Sequence, residues 1–457
     1  METILIDKAL TNIFSLKYRL IRQALIINIF IILLYISAKY NEMVALVGGM
    51  FLVLYFSAKG LITPVKTFFL VFGIKLTFDS LWFVRIPLYE EYGMLHLLLI
   101  PILIVVLFGP KISRHSPRWP IWCAFIYIFW ASMAMASNYY GFDVELFIRQ
   151  AGIIIGLLGG YKYLRNPQDF NTVAYLIFIS TVVPILASII QIYLGPDSPL
   201  FHYKLDTLRD YRYSGLYYDP ATAGMVYILS LGSNLYLLYT GAVKKKYVKY
   251  HLAFIPLSLF VIFSGGTRSI IITSAFITSI YLIRNLKKSL IIIPLVLIVI
   301  FFSQSYIEKA VKRTTYEIRQ PIDISQVLHE TDYRPMFTGR VGMWQDLYEK
   351  FKAGTALQQL FGSGLSSNAH SSYFFLLLQI GYLGLLFYMF FHAFLFLTIL
   401  KRKIVKTQKI IALLALSSML LIGFSASTVV YTSFQWIIYL IVGGVLNLGS
   451  VKELEKT

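Results

Sequence analysis

Long apolar runs alternate with short polar loops along almost the whole chain. A helix needs roughly 20 apolar residues to cross the hydrocarbon core of a bilayer. The runs are too long and continuous for the ~10-residue alternating strands of an outer-membrane barrel. They predict an all-α, polytopic integral membrane protein with about 14 (12–14) transmembrane helices. The runs lie at 22–38, 43–58, 66–84, 92–108, 120–138, 146–163, 172–194, 221–240, 251–263, 269–283, 290–306, 372–400, 410–424 and 429–448.

Composition supports the same class of protein. Of the 457 residues, 58% are hydrophobic and 14% are charged, and a soluble domain could not bury so much apolar surface. The single cysteine, Cys123, excludes a disulfide within the chain and a cysteine-based metal site. The first apolar run follows four basic residues and has no small-residue cleavage site after it, so we expect an uncleaved first helix.

The net charge of +19 has a topological explanation. Most Lys and Arg residues lie in short loops between apolar runs, and such charge is retained on the cytoplasmic side of a membrane. If the N-terminus is cytoplasmic, every strongly basic short loop lies on the cytoplasmic face, together with the C-terminus. No basic stripe interleaved with aromatic residues indicates nucleic acid. We therefore expect a multi-pass protein of the bacterial cytoplasmic (inner) membrane, surrounded by lipid.

Two loops on the opposite face differ from the others and cover 195–220 and 307–371. Long loops cross a membrane regardless of charge, so their basic residues do not contradict this topology. The remainder of 1–457 is expected to form a single transmembrane domain. A short helix on the membrane surface is predicted near 341–351. Its apolar face follows the spacing i, i+3, i+4, i+7 and consists of Trp344, Leu347, Tyr348 and Phe351.

Four basic side chains lie in or beside glycine-rich turns of this face, namely Arg212, Arg268, Arg340 and His370. Glycine lets the backbone approach a bulky anion closely, and Arg makes forked contacts with phosphate oxygens. The set predicts a site for a phosphate-bearing ligand. Contact with lipid headgroups is the alternative interpretation of each arginine. Two neighbours of Arg212 complete the predicted substrate-binding set, namely Tyr217 and Asp219.

His370 precedes the run 372–400, for which the sequence predicts one unbroken helix. Ser367 or Asn368 is the candidate cap of that helix. The dipole at a helix N-terminus disfavours imidazolium, which favours a neutral histidine that can accept a proton. A loop histidine without a chemical role is the alternative interpretation.

Polar residues inside the runs give a weaker signal. Lys75 and Asp79 lie four residues apart within a predicted span. This spacing favours a buried pair that neutralises itself over a proton relay that includes His96 of the next span. The sequence has no carboxylate cluster, no His/Cys cluster at metal-ligand spacing and no Walker loop. Neither a metal ion nor another cofactor is therefore indicated.

Three patches between Tyr211 and Leu385 resemble a known family. They are RYSGLYYDPATAG, then SGGTRSIIITSAF, then TGRVGMWQ with LFGSG and HSSYFFLLLQIGYLG. In this order they are similar to motifs of the bacterial O-antigen ligase and O-antigen/exopolysaccharide polymerase superfamily, whereas the N-terminal half is similar only in hydropathy. The chain departs at Ala221 and Ser371, where the family often has Asn, and these departures bear on contacts with the substrate.

The resemblance implies a GT-C-like, metal-independent membrane glycosyltransferase. Its donor would be a glycan on undecaprenyl diphosphate, and its active site would lie on the periplasmic face. His370 would act as general base on an acceptor hydroxyl of a second glycan. The arginines Arg212, Arg268 and Arg340 would stabilise the charge that develops on the diphosphate. A direct displacement would invert the anomeric centre.

Three reactions remain open on the sequence. The first is polymerisation of lipid-linked oligosaccharide repeat units into O-antigen or exopolysaccharide, with a chain-length regulator as a candidate partner. The second is a ligase that transfers finished glycan to lipid A core or to protein. The third is a flippase for lipid-linked oligosaccharide, but that class would need polar residues along a path through the bilayer and often has internal repeats. We expect the first.

Overall fold

The computed structural model describes most of the chain. The described residues are 2–454 with the exception of 87–88, 94–96, 113–115, 137–143, 196–197, 199, 202, 206–210, 285, 320–339, 364–370, 403, 405, 427 and 429–430. Within these described residues the chain is all-α apart from two short antiparallel strand pairs. The all-α class predicted from the hydropathy pattern is therefore confirmed.

The helices and strands of the described residues cover the following ranges. The helices are α1 Glu2–Ala38, α2 Glu42–Ile62, α3 Pro64–Phe78, α4 Leu99–Phe108, α5 Trp119–Ala136, α6 Val144–Tyr163, α7 Pro167–Leu194, α8 Pro220–Thr240, α9 Val248–Ser264, α10 Arg268–Arg284, α11 Leu286–Phe302, α12 Gln304–Arg319, α13 Arg340–Lys352, α14 Ala356–Phe361, α15 Ser372–Lys401, α16 Lys406–Gly423 and α17 Thr432–Leu454. The strands are β1 Arg85–Ile86, β2 Tyr89–Gly93, β3 Tyr203–Leu205 and β4 Tyr211–Tyr213.

Seven helices of the described part are long and apolar enough to cross a membrane. A multi-pass membrane protein is therefore supported by the lengths of the helices as well as by the sequence. Four further apolar helical stretches are shorter than a full span, and they are Leu99–Phe108, Trp119–Ala134, Leu290–Phe302 and Ser433–Leu448. The seven long stretches are Arg19–Ala38, Glu42–Ile62, Pro167–Leu194, Pro220–Thr240, Lys245–Ser264, Ser372–Lys401 and Lys406–Gly423.

The predicted run 92–108 begins differently in the structure. Strand β2 covers its first two residues, and Gly93 pairs with Arg85 of β1. The helix α4 begins only at Leu99. Gly93 has a low helix propensity, and its pairing with Arg85 in the strand pair takes the place of a first helical turn. With ten residues, α4 is about 15 Å long, or half the hydrocarbon thickness.

Local capping chemistry sets the other boundaries of the helices. Asn166 and Asp169 form a reciprocal capping box at the start of α7. Helices α3, α7 and α8 carry proline in their first turn, where its missing N–H costs nothing. Gly241 ends α8 in the left-handed conformation that glycine adopts without strain.

Helices α3 and α8 lie at the centre of the bundle. Every residue of α3 from Thr67 to Phe78 is buried. The apolar stretch of α8 is 83% buried, whereas those of α1 and α15 are 33% buried and present most of their side chains outward. The central helices therefore fix the positions of the groups at their ends, and the outer helices face lipid.

Loop contacts group the helix ends into two sets. At one end Arg165 Nη2 donates to Lys111 O at 3.0 Å and Arg402 Nη1 donates to Leu446 O at 2.8 Å. We call this the basic end. At the other end, the site end, the 211–219 segment meets the start of α17, where Tyr431 lies. This grouping agrees with the alternation of loops between the two faces of the membrane that the apolar runs predict.

Helices α6 and α17 approach each other through glycines. We call this contact the glycine seam, formed by Gly152, Gly156 and Gly160 of α6 and Gly443 and Gly444 of α17. A Cβ added at Gly156 would lie 2.6 Å from the carbonyl oxygen of Trp436, and one at Gly443 would lie 2.5 Å from that of Leu157. Small residues every fourth position let helix backbones touch in a membrane, where packing replaces the hydrophobic effect between helices.

The glycine seam predicts a sharp contrast between two glycine variants. We expect Gly156→Leu to lower stability by at least about 3 kcal/mol, because the new side chain must displace the backbone of α17. The control is Gly232→Ala in α8, where a Cβ would meet no atom within 4 Å. It should be neutral or slightly stabilising. Thermal unfolding of the purified proteins in detergent measures both, and equal losses would contradict the seam.

Candidate functional site at the end of the bundle

A rigid turn carries Arg212. Strand β4, which contains Arg212, pairs with β3 and ends at Tyr213. The side-chain oxygen of Gln191 on α7 then accepts the N–H groups of Ser214 at 3.2 Å and Gly215 at 2.7 Å. Gly215 has φ 61°, and a Cβ there would lie 2.9 Å from the hydroxyl of Tyr227. Only glycine fits this position, so the turn is tied closely to α7 and α8.

The two adjacent tyrosines of the turn have opposite environments. Tyr217 is 1% exposed, and its hydroxyl donates to Leu76 O of α3 at 3.0 Å. Burial raises the pKa of Tyr217 well above its usual range, with smaller contributions from Tyr227 and Asp79. Tyr218 is 64% exposed instead. The structure thus places the predicted substrate-binding residue Tyr217 in the core, where it anchors the turn.

Asp219 caps helix α8 and joins it to the start of α17. One carboxylate oxygen accepts the N–H groups of Ala221 at 2.7 Å and Thr222 at 3.1 Å. The other accepts the hydroxyls of Thr222 at 2.7 Å and Tyr431 at 2.8 Å. A side-chain oxygen that satisfies the first N–H groups is the standard N-terminal cap of a helix. Asp219 therefore positions the end of the Arg212 turn.

Arg212 bonds directly to the turn that precedes Arg268. Its Nε donates to Gly265 O at 3.1 Å, and its Nη2 donates to Thr267 Oγ1 at 2.6 Å. Gly266 between them has φ 60°, which favours glycine. Arg268 is the first residue of α10 and is half-buried. The first two of the three motif patches are therefore in contact, with both arginines at the site end.

The third patch is described only in part. The side chain of Arg340, which begins α13, lies outside the described residues, as do His370 and both candidate caps before it. Helix α15 begins at Ser372 and has Ser371 as its N-terminal cap position. Ser371 Oγ donates to Gly423 O at 3.3 Å, and Ser372 Oγ lies 2.9 Å from Thr428 Oγ1. The residue after His370 is thus fixed against the loop that leads to Tyr431.

The prediction of one unbroken helix at 372–400 is wrong. Gly381 has φ 69° and ψ −174°, which interrupts α15 between Ile380 and Tyr382. The segment before His370 lies against this break. The backbone N–H and the hydroxyl of Ser363 each donate to Leu378 O at 3.0 Å, and Trp130 Nε1 donates to Ile380 O at 3.3 Å. These contacts satisfy carbonyl groups that the break removes from the helix.

Helix α13 lies along the broken helix. Trp344 stacks on Phe374 with ring centroids 5.1 Å apart, and Phe351 meets Tyr382 edge-on at 5.3 Å. The apolar face of α13 that the spacing predicts therefore contacts α15, on both sides of the break at Gly381. This contact orders the part of the large loop that the structure describes.

A charged pair lies inside the bundle beside the start of α17. The ammonium group of Lys75, which is 2% exposed, pairs with the carboxylate of Asp79 and donates to Ser433 Oγ at 2.7 Å. The geometry matches the self-neutralising pair that the spacing favours. His96 lies outside the described residues.

Sequence reasoning missed two groups near Asp219, namely Tyr431 and Arg149 of α6. The hydroxyl of Tyr431 donates to Asp219 at 2.8 Å, and the guanidinium of Arg149 interacts electrostatically with Tyr431. Arg149 therefore lies close enough to act on the junction of α8 and α17. An arginine within an apolar run was the available signal, because intramembrane charge is costly.

The chemistry of the site must be argued from its own residues. No protein-family model matches the chain, and no curated protein matches it. Among the described residues, no three His, Cys, Asp or Glu side chains are grouped so that they could hold a metal ion. Two cationic arginines at the site end, Arg212 and Arg268, lie on or beside glycine-bearing turns and suit an anion with several oxygen atoms.

The break in α15 predicts a difference between two glycines of nearly identical backbone conformation. Gly381 and Gly195 have φ 69° and 77° with ψ −174° and −175°. A Cβ at Gly381 would lie 2.5 Å from the backbone nitrogen of Gly362, whereas one at Gly195 would meet nothing within 4 Å. Both alanine variants pay the same backbone strain. We therefore expect Gly381→Ala to lose about 1–3 kcal/mol more than Gly195→Ala.

Thermal unfolding in detergent measures this difference, and protease cleavage of the 340–363 segment provides a second readout. The segment should become more susceptible only in Gly381→Ala, because that variant separates Ser363 from Leu378. Equal stability and equal cleavage in the two variants would show that the segment does not depend on the break.

Proposed function

We propose that the protein is an inverting, metal-independent membrane glycosyltransferase. It polymerises undecaprenyl-diphosphate-linked oligosaccharide repeat units into O-antigen or exopolysaccharide at the outer face of the inner membrane. The observation that carries the proposal is the pair of bonds from Arg212 to Gly265 and Thr267. They join two arginine-bearing turns at one end of an apolar helical bundle, where a lipid diphosphate would meet the protein.

The arginines supply the electrostatic part of the proposed mechanism. The diphosphate leaving group gains negative charge as its bond to the sugar breaks. Arg268 and Arg212 stabilise that charge, and Arg340 is the proposed third cation. Preorganised charges are most effective where water is excluded, so the glycine turns that fix the two described arginines contribute to catalysis. No metal ion is needed for this role.

The proposed transfer is a single displacement. A hydroxyl oxygen of the acceptor glycan attacks the anomeric carbon of the donor, and the bond from that carbon to the diphosphate oxygen breaks. His370 takes the hydroxyl proton as general base. The bond electrons leave with undecaprenyl diphosphate, and the anomeric configuration inverts. Asp219 and Tyr217 belong to the proposed site as positioning residues, since both hold the Arg212 turn.

The proposal includes fourteen transmembrane spans. Each of the predicted apolar runs overlaps a helix, which accounts for α1–α11 and α15–α17, and the run 290–306 also reaches the first residues of α12. Helices shorter than a span, such as α4, would reach the bilayer surface through the segments that flank them. The basic end with both termini would be cytoplasmic, and the site end would be periplasmic, with the loops at 195–220 and 307–371.

The reaction class is tested by mass spectrometry of undecaprenyl-linked glycans from cells that lack the gene. We expect single repeat units to accumulate on the outer face of the membrane, because nothing joins them. Accumulation of long lipid-linked chains would instead identify a ligase that transfers finished glycan to lipid A core or protein. Single units that an added glycosidase cannot reach from outside would identify a flippase, and the polymerase would be excluded.

The site is tested by three variants that are compared with wild type. We expect His370→Ala to abolish polymer and Arg268→Lys to lower it at least about 100-fold, since Lys lacks the planar fork. The matched control is Arg284→Lys at the exposed last residue of the same helix, α10, which should retain activity. Amounts of inserted protein are measured for each variant. Wild-type polymer from His370→Ala would remove His370 from the mechanism.

A further inference from the structure

We propose that Tyr218, backed by Trp82, is a stacking platform for a pyranose ring of the glycan substrate. The platform is a binding subsite for sugar, distinct from the diphosphate contacts of Arg212 and Arg268. The inference rests on the proposed function for the identity of the substrate. The experiments distinguish a failure of the sugar platform from a failure of the proposed function.

The turn holds Tyr218 in a fixed outward position. Its neighbour Tyr217 is anchored inside by the bond to Leu76, and its other neighbour Asp219 is held by the cap of α8. The backbone N–H of Tyr217 donates to Ser214 O at 3.1 Å, and this hydrogen bond closes the turn just before Tyr218. Adjacent side chains thus point in opposite directions, and Tyr218 keeps 64% of its surface exposed although both neighbours are buried.

Trp82 supports one edge of the tyrosine ring. The ring centroids lie 4.7 Å apart and the ring planes are 68° apart, which is an edge-to-face contact. Trp82 in turn contacts Phe83 at 5.6 Å, and Phe83 contacts Tyr35 at 5.5 Å. The four rings form a continuous row of contacts from Tyr35, which is buried near the end of α1, to the exposed Tyr218 of the turn, and we call it the aromatic ledge. An edge-to-face contact orients the Tyr218 ring without covering both of its faces.

The chemistry of the aromatic ledge suits a sugar. A pyranose has an apolar face of C–H groups and a rim of hydroxyls, and an aromatic ring with a polar tip matches both. Rigid tyrosines also bind at a low cost in conformational entropy. Tyr218 lies six positions after Arg212, so their Cα atoms are at most about 20 Å apart. The subsite therefore lies within reach of sugars attached to a diphosphate at the arginines.

The position of Tyr218 distinguishes it from an ordinary interfacial aromatic residue. Tyrosines at a membrane boundary are typically carried on the lipid-facing sides of helices. Tyr193 is such a residue, in the last turn of α7 and 89% exposed. Tyr218 lies in a turn between Arg212 and the carboxylate of Asp219, which are polar neighbours. Its exposed ring therefore belongs to the same turn as Arg212, and Tyr193 serves as the matched control.

The experiment uses membrane vesicles that contain the full-length protein. The probe is the undecaprenyl-linked glycan extracted from cells that lack the gene, and the readout is its conversion to longer lipid-linked glycan. We expect Tyr218→Ala to raise KM about tenfold with little change in kcat, which corresponds to the loss of one stacking contact. Tyr218→Phe and Tyr218→Trp should restore KM, Tyr218→Leu should not, and Tyr193→Ala should resemble wild type.

The variants separate a sugar platform from other roles. Wild-type KM in Tyr218→Ala, or full rescue by Tyr218→Leu, would overturn the platform, since apolar anchoring in lipid does not require a ring. In either case the proposed reaction would stand if Arg268→Lys stayed inactive. A fall in thermal stability of Tyr218→Ala that matched its loss of activity would also overturn the inference.

Fluorescence makes the platform testable without turnover. Tyr218→Trp adds an indole at the subsite, and its emission relative to wild type is titrated with the deprotected repeat-unit oligosaccharide. We expect a saturable change that Tyr193→Trp does not give. A saturable change together with inactive wild-type vesicles would support the platform while the polymerase proposal failed. No change at any concentration of oligosaccharide would overturn the platform.

Discussion

The start of α17 is the junction on which the candidate site depends. Tyr431 just before this helix donates to the cap of α8, and Ser433 just inside it accepts from Lys75 of α3. These bonds join the two central helices to one point of a third. The glycine seam then holds α17 against α6 at backbone contact along much of its length. These buried hydrogen bonds stabilise the junction, because each donor or acceptor left unpaired there would cost about 1–3 kcal/mol.

The consequence for the site is preorganisation. The turn from Arg212 to Asp219 is bonded to α7 through Gln191, to α3 through Tyr217 and to α17 through Asp219. Arg212 passes this rigidity on to the turn before Arg268. The positions of two cations therefore follow from central helices rather than from a free loop. A site that must stabilise a developing charge benefits from such rigidity, because it need not reorganise when the charge appears.

Hydropathy allowed the apolar helices to be predicted, because crossing a bilayer imposes a length on every apolar run. Hydropathy could not predict which face of a turn each side chain occupies. Tyr217 was therefore predicted as a substrate-binding residue, although Tyr218 is the exposed tyrosine of the turn. The break at Gly381 was missed because its cause is tertiary: the backbone of Leu360 and Gly362 occupies the space beside it. The spacing of Gly152, Gly156 and Gly160 was visible, but its partner on α17 was not.

The break in α15 bears on the proposed base as well as on packing. Ser363 is bonded to Leu378 just before the break, and Ser371 is bonded to Gly423 at the start of the same helix. Both ends of the intervening chain, which carries His370, are thus fixed on or beside the first half of α15. That half-helix is separated from the membrane-crossing half by Gly381 and is held by its own contacts with α16 and Trp130. A rigid support of this kind is what a general base requires, since proton transfer depends on hydrogen-bond distance to the acceptor hydroxyl.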